Sequence, residues 1–339
     1  MKEKAIINVK ALAFPWETQN PFLFCVHHLD HYPQGNDELG QSASLAGRNI
    51  GNDFNLKDGW RMYHGDKVPG FPMHPHRGFE TVTVVLQGFV DLSDSHGAAG
   101  RYGNGDVQWM TAGSGLQHAE MFPLLNREGG NTLELFQIWL NLPAKSKFVD
   151  PHFKLLWGDS IPVFRHADNQ GKVTEVIVIA GKLGDAAVPD PAPDSWAANP
   201  ANEVGIWRIK MEPGAQWDIP PASAGINRSL FFFTGAGIRI NGENFTDPKA
   251  IELLADADLE LKNGPSESQL LLLQGKPISD PVVQYGPFVM NSEAEIQQAM
   301  MDYQRTRFGG WPWDRTDPVH GEEKGKFAKY ADGTVEKPK

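Results

Sequence analysis

Two stretches of the chain decide its fold class. His74 to Gly88 reads HPHRGFETVTVVLQG, and Gly105 to Met121 reads GDVQWMTAGSGLQHAEM. The first contains a run of β-branched residues, TVTVV, which is typical of a β-strand. The second is interrupted by glycines, which favour tight turns. Together they predict strands that turn back and lie beside one another.

Short apolar runs separated by turn residues fill most of the remaining chain. They are Leu133 to Leu142, Ile206 to Met211, Ser229 to Phe233, Ile238 to Asn241 and Leu270 to Leu273. Asn-Gly and Pro-Gly pairs lie between such runs and predict turns. With 35 glycines and 25 prolines in 339 residues, the pattern predicts an all-β chain of sandwiches or barrels.

A weak internal repeat indicates two copies of one fold. Trp60-Arg61 recurs as Trp207-Arg208, and Gly88 recurs as Gly235 at the same offset. We therefore expect one domain at residues 1–150 and a second at residues 151–285.

The C-terminal part, residues 286–339, is predicted to hold a helix and a charged tail. The helix would span Ser292 to Phe308, because Ser292 and Glu295 form a capping box. Apolar side chains at helical spacing follow this box, which predicts one buried face.

Composition limits the partners and the location of the protein. The formal net charge is −11, from 31 basic and 42 acidic residues, which argues against direct binding to nucleic acid. The single cysteine, Cys25, allows no intrachain disulfide and no cluster of thiolate ligands. No stretch approaches the length of a membrane span, and Lys10 interrupts the first apolar run too early for a signal peptide. We therefore expect a cytoplasmic protein without membrane contact.

Candidate metal ligands stand at alternate positions in the two quoted stretches. Because side chains on a strand alternate between faces, His74 and His76 point the same way, as do His118 and Glu120. Two such pairs on neighbouring strands would place three imidazoles and a carboxylate around one point. This donor set suits Fe, Mn, Ni, Cu or Zn better than Ca or Mg. An octahedral ion with four protein ligands keeps two positions open for water, substrate or dioxygen.

Other interpretations of these residues stay open at this point. His-x-His pairs arise by chance, and the chain has 11 histidines. Glu80 follows His76 by four residues and could replace or supplement Glu120, or hold a ligand histidine in place. It could equally be a buried, hydrogen-bonded acid or a solvent-facing residue.

The sequence evidence for a metal site is weaker at a second group of histidines. His27, His28 and His31 lie near Cys25, and a polar loop is a better prediction for them than a zinc site. Trp109 and Met110 stand between the glycines of the second stretch, where core packing is the better prediction than a pocket lining.

The two quoted stretches resemble the pirin family, and Gln284 to Asn291 (QYGPFVMN) resembles the end of pirin chains. The resemblance covers most of residues 20–310. It implies a bicupin: two antiparallel cupin β-barrels of the jelly-roll type, with a short C-terminal helix. It also implies that the metal is bound only in the N-terminal cupin domain, residues 1–150, and that the C-terminal cupin domain, residues 151–285, has none.

The resemblance also implies the ligand set and the metal. The ligands would be His74, His76, His118 and Glu120, with Fe(2+) as the expected ion and Mn, Ni, Cu or Zn as alternatives. Cupins in general take their glutamate from the place of Glu80, so on this point pirins differ. At the repeat offset Pro221 and Ser223 stand in the places of His74 and His76, and neither can act as an imidazole ligand.

Two classes of function follow from the resemblance. Some pirins resemble quercetinases (quercetin 2,3-dioxygenases), which open the central ring of a flavonol with dioxygen. Glu120 would then be both a ligand and the base that takes the proton of the 3-hydroxyl. Other pirins act through protein partners, as redox-responsive transcription cofactors or modulators of metabolic enzymes. A third alternative is an enzyme that acts on an unrelated small molecule in the same pocket.

Overall fold

The computed structural model describes residues 5–339, so residues 1–4 of the N-terminal segment lie outside it. Strands dominate the described chain, and one α-helix, α1 (Glu293–Thr306), follows near its C-terminal end. In chain order the strands are β1 (Ile6–Ala11), β2 (Phe22–Tyr32), β3 (Gly70–His76), β4 (Phe79–Gln87), β5 (Phe89–Asp94), β6 (Ala99–Gly103), β7 (Val107–Thr111), β8 (Leu116–Met121), β9 (Asn131–Asn141), β10 (His152–Leu156), β11 (Val163–Ala167), β12 (Val173–Ala180), β13 (Gly205–Met211), β14 (Gln216–Ile219), β15 (Asn227–Thr234), β16 (Ile238–Ile240), β17 (Glu243–Phe245), β18 (Lys249–Leu254), β19 (Leu259–Asn263), β20 (Ser268–Gly275), β21 (Val283–Tyr285), β22 (Phe288–Met290), β23 (Phe327–Lys329) and β24 (Val335–Glu336). The prediction of an all-β chain with a short C-terminal helix is confirmed.

The chain divides into two units. The first unit comprises His27–Ile138, Leu142–Asp159 and Asp280–Lys339. One of its sheets has the strand order β10-β7-β4-β9-β2, and the other has the order β24-β23-β6-β5-β8-β3. Their strands pair antiparallel. Buried apolar side chains from both sheets form one core, among them Val85, Leu92 and Leu135.

The second unit comprises residues 5–26, Trp139–Asn141 and Ser160–Ser279. Its seven-stranded sheet has the order β1-β18-β15-β20-β13-β12-β11, and its four-stranded sheet has the order β14-β19-β16-β17. The core contains side chains from both sheets, including Trp207, Phe232 and Leu261. The domain boundaries at residues 150 and 285 stay a prediction.

The burial of two strands explains their composition. Residues 79–85 of β4 are all buried, so both faces of the strand are covered, and its one charged residue there, Glu80, accepts hydrogen bonds from neighbouring side chains. In β19, LELKN, buried and exposed residues alternate, because only one face of that strand is covered.

Helix α1 begins where the capping box predicts. The hydroxyl of Ser292 accepts a hydrogen bond from the backbone N–H of Glu295 at 3.3 Å, and Glu295 Oε2 accepts one from the N–H of Asn291 at 2.8 Å. The helix packs through Ile296 on a small cluster that contains Phe288. Within residues 5–339, no helix is both long and apolar enough to cross a membrane. The cytoplasmic location stays a prediction.

The turn between β3 and β4 requires a glycine. Gly78 has a φ of 84°, and a Cβ there would lie 2.0 Å from the carbonyl oxygen of Val289. The turn therefore lets the chain pass close to β22 directly after His76.

We expect Gly78→Ala to lower the free energy of unfolding by about 2–5 kcal/mol. The left-handed backbone costs alanine about 1–2 kcal/mol, and the contact with Val289 adds about 1–3 kcal/mol of overpacking. Gly97→Ala is the matched control, because Gly97 has the same φ of 84° but nothing within 4 Å of a Cβ. Urea unfolding of both variants measures the difference, and equal losses would contradict the role of the close approach.

Candidate metal centre

The pairing of β3 with β8 places the candidate residues opposite one another. His74 pairs with His118 across the two strands, whereas Phe71 pairs with Glu120. Between these pairs β3 has one residue more than β8, so a β-bulge lies at Pro72 and Met73. The bulge turns Phe71 and His74 to the same side of the sheet, which strict alternation would not allow.

Three imidazoles meet at this place. The ring centroids of His74 and His118 are 4.4 Å apart, those of His74 and His76 are 4.8 Å apart, and those of His76 and His118 are 4.9 Å apart. One nitrogen from each ring lies within 4.8 Å of the other two. His76 and His118 are 4% and 0% exposed. Within residues 5–339 this is the one group of histidine, cysteine or carboxylate side chains close enough to share an ion.

Two rings of the cluster have a nitrogen lone pair available for a metal ion. Nδ1 of His74 lies 2.9 Å from the carbonyl oxygen of Pro72. A carbonyl only accepts, so Nδ1 carries the proton and Nε2 has the lone pair. Both ring nitrogens of His118 are buried without a hydrogen-bond partner in the described chain. A buried ring in this state is unfavourable in a protein interior unless a further group binds it.

Glu120 lies beside the three histidines. Its Oε2 is 3.7 Å from Nε2 of His118. Both of its carboxylate oxygens accept hydrogen bonds, Oε1 from the hydroxyl of Thr83 at 3.0 Å and Oε2 from Nε2 of Gln137 at 2.9 Å. The Thr83 hydroxyl also lies 3.2 Å from Oε1 of Gln108. These side chains come from β4, β7 and β9, so the opposite sheet holds the orientation of Glu120.

Glu80 lies apart from this group. It is fully buried, and its Oε1 accepts hydrogen bonds from Thr111 at 2.7 Å and from Nε1 of Trp109 at 3.2 Å. On β4 it occupies the face opposite to Thr83, because the two positions differ by an odd number of residues. The interpretation of Glu80 as a buried, hydrogen-bonded acid fits this position.

Burial sets the protonation of the candidate ligands. It lowers the pKa of His74 to about 4 and holds the pKa values of His76 and His118 well below the usual range for histidine. Burial raises the pKa of Glu120 to about 7, although the hydrogen bonds from Thr83 and Gln137 oppose the rise. The imidazoles are therefore neutral near pH 7, which is the form that binds a metal ion.

Arg77 and Gln117, each adjacent in sequence to a histidine of the cluster, point away from it and hold the C-terminal helix. Nη1 of Arg77 donates to Oδ2 of Asp302 on α1 at 2.9 Å. Nε2 of Gln117 donates to the carbonyl oxygens of Arg307 and Gly310, and its Oε1 accepts from the hydroxyl of Tyr303. The strands β3 and β8 are therefore fixed by α1 on one face and carry the histidines on the other.

His27, His28 and His31 do not come close enough together to share a metal ion. The residues lie on β2, so the polar loop predicted for them is wrong. His27 contacts Glu134, His28 contacts the hydroxyl of Tyr63, and His31 contacts Thr132.

Trp109 and Met110 are both buried in the first unit. Met110 packs with Ala112 and Leu116. This agrees with the core packing that the sequence favours for them.

Comparison with known proteins supports the family resemblance along the chain. The model of the pirin family matches residues 18–140, and the model of the pirin C-terminal cupin domain matches residues 206–309. Human pirin is 32% identical over 254 residues, which cover 73% of this chain and 80% of human pirin. This chain belongs to the pirin family. The prediction of a cupin fold is therefore confirmed as well.

Other similar proteins are named after an enzymatic activity, that of a quercetin 2,3-dioxygenase. A Pseudomonas aeruginosa protein, provisionally named as a quercetin 2,3-dioxygenase, is 38% identical over 243 residues, or 70% of this pirin and 79% of that protein. The crystal structure of quercetin 2,3-dioxygenase from Acinetobacter baumannii superposes with a TM-score of 0.69 at 26% identity, and covers 90% of this pirin and 98% of that chain.

The donor chemistry of this pirin fits a transition metal. Three neutral imidazoles and an adjacent carboxylate are the ligands that Fe, Mn, Ni, Cu and Zn accept, and the pair of orphaned nitrogens on His118 gives such an ion a place to bind. The histidine cluster is that of a metal-binding cupin. The full ligand set of His74, His76, His118 and Glu120 stays a prediction.

Sequence reasoning missed the polar residues that hold Glu120. Thr83, Gln108 and Gln137 each stand between two apolar residues of a strand. An isolated amide in such a run is a signal, because a buried amide needs partners. The partner itself is visible only once the two sheets are placed face to face.

We expect Glu120→Gln to weaken metal binding by at least about 10–100-fold, the range seen when groups that support a ligand are removed. Glu80→Gln is the matched control, because it removes a buried carboxylate on the opposite face of β4. Equilibrium dialysis with Ni²⁺, which is stable in air, measures both affinities. A loss in Glu80→Gln with none in Glu120→Gln would reverse the assignment of the carboxylate ligand.

Metal binding should release a proton at low pH. Glu120, with a pKa of about 7, is mostly protonated at pH 6 and must lose its proton when a cation binds, whereas the histidines are already neutral. We expect most of a proton to be released per Ni²⁺ at pH 6 and clearly less at pH 8, since the pKa of about 7 lies between the two. Calorimetric titration in buffers of different ionisation enthalpy counts these protons. Release that stays constant from pH 6 to pH 8, or that persists in Glu120→Gln, would exclude Glu120 as their source.

Proposed function

We propose that this pirin is a metal-dependent dioxygenase that opens the central ring of a flavonol, as quercetin 2,3-dioxygenases do. The observation that carries the proposal is the buried cluster of three neutral imidazoles beside Glu120. The likeness to the Acinetobacter baumannii quercetin 2,3-dioxygenase, which covers 90% of this chain, supports the same substrate class.

The proposed ligands are His74, His76, His118 and Glu120, and the proposed ion is Fe(2+). When bound, the ion acts as a Lewis acid that stabilises the anion of the flavonol 3-hydroxyl. Four protein ligands would leave positions open for substrate on an ion that accepts six, as an enzyme requires.

Glu120 is the proposed base. Its Oε2 faces His118 at 3.7 Å, so a hydroxyl brought to the cluster lies within reach of the carboxylate. Thr83 and Gln137 each hold one of its oxygens, which fixes the carboxylate while it takes the proton. Thr83 and Gln137 are therefore positioning residues in this proposal.

The surroundings favour this proton transfer. His118 and Glu120 are almost wholly buried, so bulk water does not compete for the carboxylate. The aromatic ring of Phe71 lies 6.3 Å from that of His74 and is partly exposed, which offers an apolar contact for a planar substrate.

The alternative is a regulatory pirin that acts through a protein partner, with the oxidation state of the metal changing its surface. The test of the enzyme decides between the two. A pirin that binds iron stoichiometrically but consumes no flavonol would favour the regulatory function.

We expect the iron-loaded protein to consume one O2 for each quercetin. The protein is loaded with Fe(2+) and quercetin without oxygen, air is admitted, and flavonol absorbance and dissolved O2 are followed together. Removing the base in Glu120→Gln should lower the rate by about 10²–10⁴-fold. His31→Ala is the control, because His31 is an exposed strand histidine outside the cluster. Equal rates in Glu120→Gln and the parent protein would exclude Glu120 as the base.

A further inference from the structure

The second unit contains a cavity of about 780 Å³. Its walls come from residues 180–191, 197–207 and 220–222, together with Arg228 and Gln274, all of which belong to that unit. We call it the second-unit cavity. The metal centre lies in the other unit, so this cavity has no part in the function proposed above.

A buried cation lies in the wall of the second-unit cavity. Arg228 is on β15 and is 1% exposed. It shares the inward face of that strand with Leu230 and Phe232, which are core residues. Its cross-strand neighbour is Gln274, and Nε of Arg228 donates to Oε1 of that amide at 2.9 Å.

The guanidinium of Arg228 forms no salt bridge with residues 5–339. Its Nη1 is buried without a hydrogen-bond partner in the described residues, and no carboxylate lies within 4.0 Å of the guanidinium. Burial lowers the pKa of Arg228 to about 10, while Glu203 opposes the shift, so the group is charged at neutral pH. Burying an unpaired charge is strongly unfavourable. A ligand that supplies the missing negative charge would explain its place here.

The rest of the wall is mainly apolar. Leu183, Val188, Val204, Trp207 and Pro220 line the cavity. Nε1 of Trp207 already donates to the carbonyl oxygen of Ala180 at 3.1 Å, so the ring itself offers an apolar contact. Such a wall suits a ligand with an apolar or aromatic body and a single charged end.

The loop over the cavity is held in place. Residues 186–202, the stretch rich in proline and alanine, contribute to the wall. Nε1 of Trp196 donates to the carbonyl oxygen of Lys276, and Nδ2 of Asn202 donates to the carbonyl oxygen of Trp196. The wall is therefore built by specific contacts, as a binding site requires.

The internal repeat gives this cavity a counterpart in the first unit. At the repeat offset Trp207 corresponds to Trp60, Arg228 to Thr81 and Pro221 to His74. Pro221 lines the second-unit cavity, just as His74 belongs to the histidine cluster. The two units thus carry different side chains at positions that the sequence repeat relates.

We propose that the second-unit cavity binds a small organic monocarboxylate, whose carboxylate pairs with Nη1 and Nη2 of Arg228 and whose apolar body packs against Trp207. A planar carboxylate matches the forked donors of a guanidinium. Asp185, Asp190 and Glu203 also line the cavity, and their charge disfavours ligands with more than one negative charge.

Benzoate tests the proposal, with benzamide as the neutral molecule of the same shape. Isothermal titration calorimetry on the full chain should show benzoate binding at least about tenfold more tightly than benzamide, since one charged contact of about 1.4 kcal/mol gives that ratio. Arg228→Met, which keeps much of the side-chain volume, should lose this preference. Arg165→Met is the control, because Arg165 is an exposed arginine of the same unit. Equal binding of benzoate and benzamide, or full benzoate affinity in Arg228→Met, would overturn the proposal.

A second variant tests the site independently, in case Arg228→Met does not fold. Ala222→Phe places a ring in the cavity and leaves the guanidinium unchanged. We expect it to abolish benzoate binding while thermal unfolding shows a folded chain. Arg228→Met should itself unfold at a higher temperature than the parent protein without ligand, because it removes an unpaired buried charge. Benzoate binding that survives in Ala222→Phe would place the ligand elsewhere and overturn the assignment.

Discussion

The antiparallel pairing of β3 with β8, with one extra residue in β3, is the constraint on which the first unit depends. The pairing sets His74 opposite His118, and the bulge at Pro72 and Met73 brings Phe71 to the same face. Proline suits this position, because a bulge tolerates the loss of a backbone donor. Its carbonyl oxygen in turn fixes the tautomer of His74. A shift of the register by one residue would turn both histidines of β3 away from His118.

The same two strands connect the cluster to the C-terminal helix. Arg77 and Gln117 point away from the histidines and bind α1 and the turn that follows it. Alternation along a strand therefore separates two tasks, since one set of residues forms the cluster and the intervening set holds the strands in place. A helix that contains no candidate ligand can thus determine how accurately the ligands are placed, because small displacements of a ligand change metal affinity.

The sequence predicted the parts of this arrangement that depend on local spacing. His74 and His76, like His118 and Glu120, share a face because their positions differ by two, and the capping box located α1 within a residue or two. It could not decide between Glu80 and Glu120 from spacing alone, because Gly78 turns the chain between His76 and Glu80 and breaks the alternation. The sequence also showed no sign of the role of Thr83, Gln108 and Gln137. These residues contact Glu120 or one another only because two sheets pack face to face. The prediction of a polar loop at His27, His28 and His31 was wrong because these polar side chains lie on a long strand, β2.

The two units bury ionisable groups of opposite kinds: histidines beside a carboxylate in the first and a guanidinium in the second. In the first, burial keeps three imidazoles neutral beside a carboxylate, which makes a site for a cation. In the second, burial cannot neutralise Arg228, since even a pKa of about 10 leaves the guanidinium charged. No carboxylate of the described chain lies within 4.0 Å of that guanidinium, and Glu203 acts on it only from a longer distance. In the two proposals made above, the neutral histidines of the first unit favour a metal ion, whereas the guanidinium of Arg228, which does not titrate near neutral pH, favours an anion.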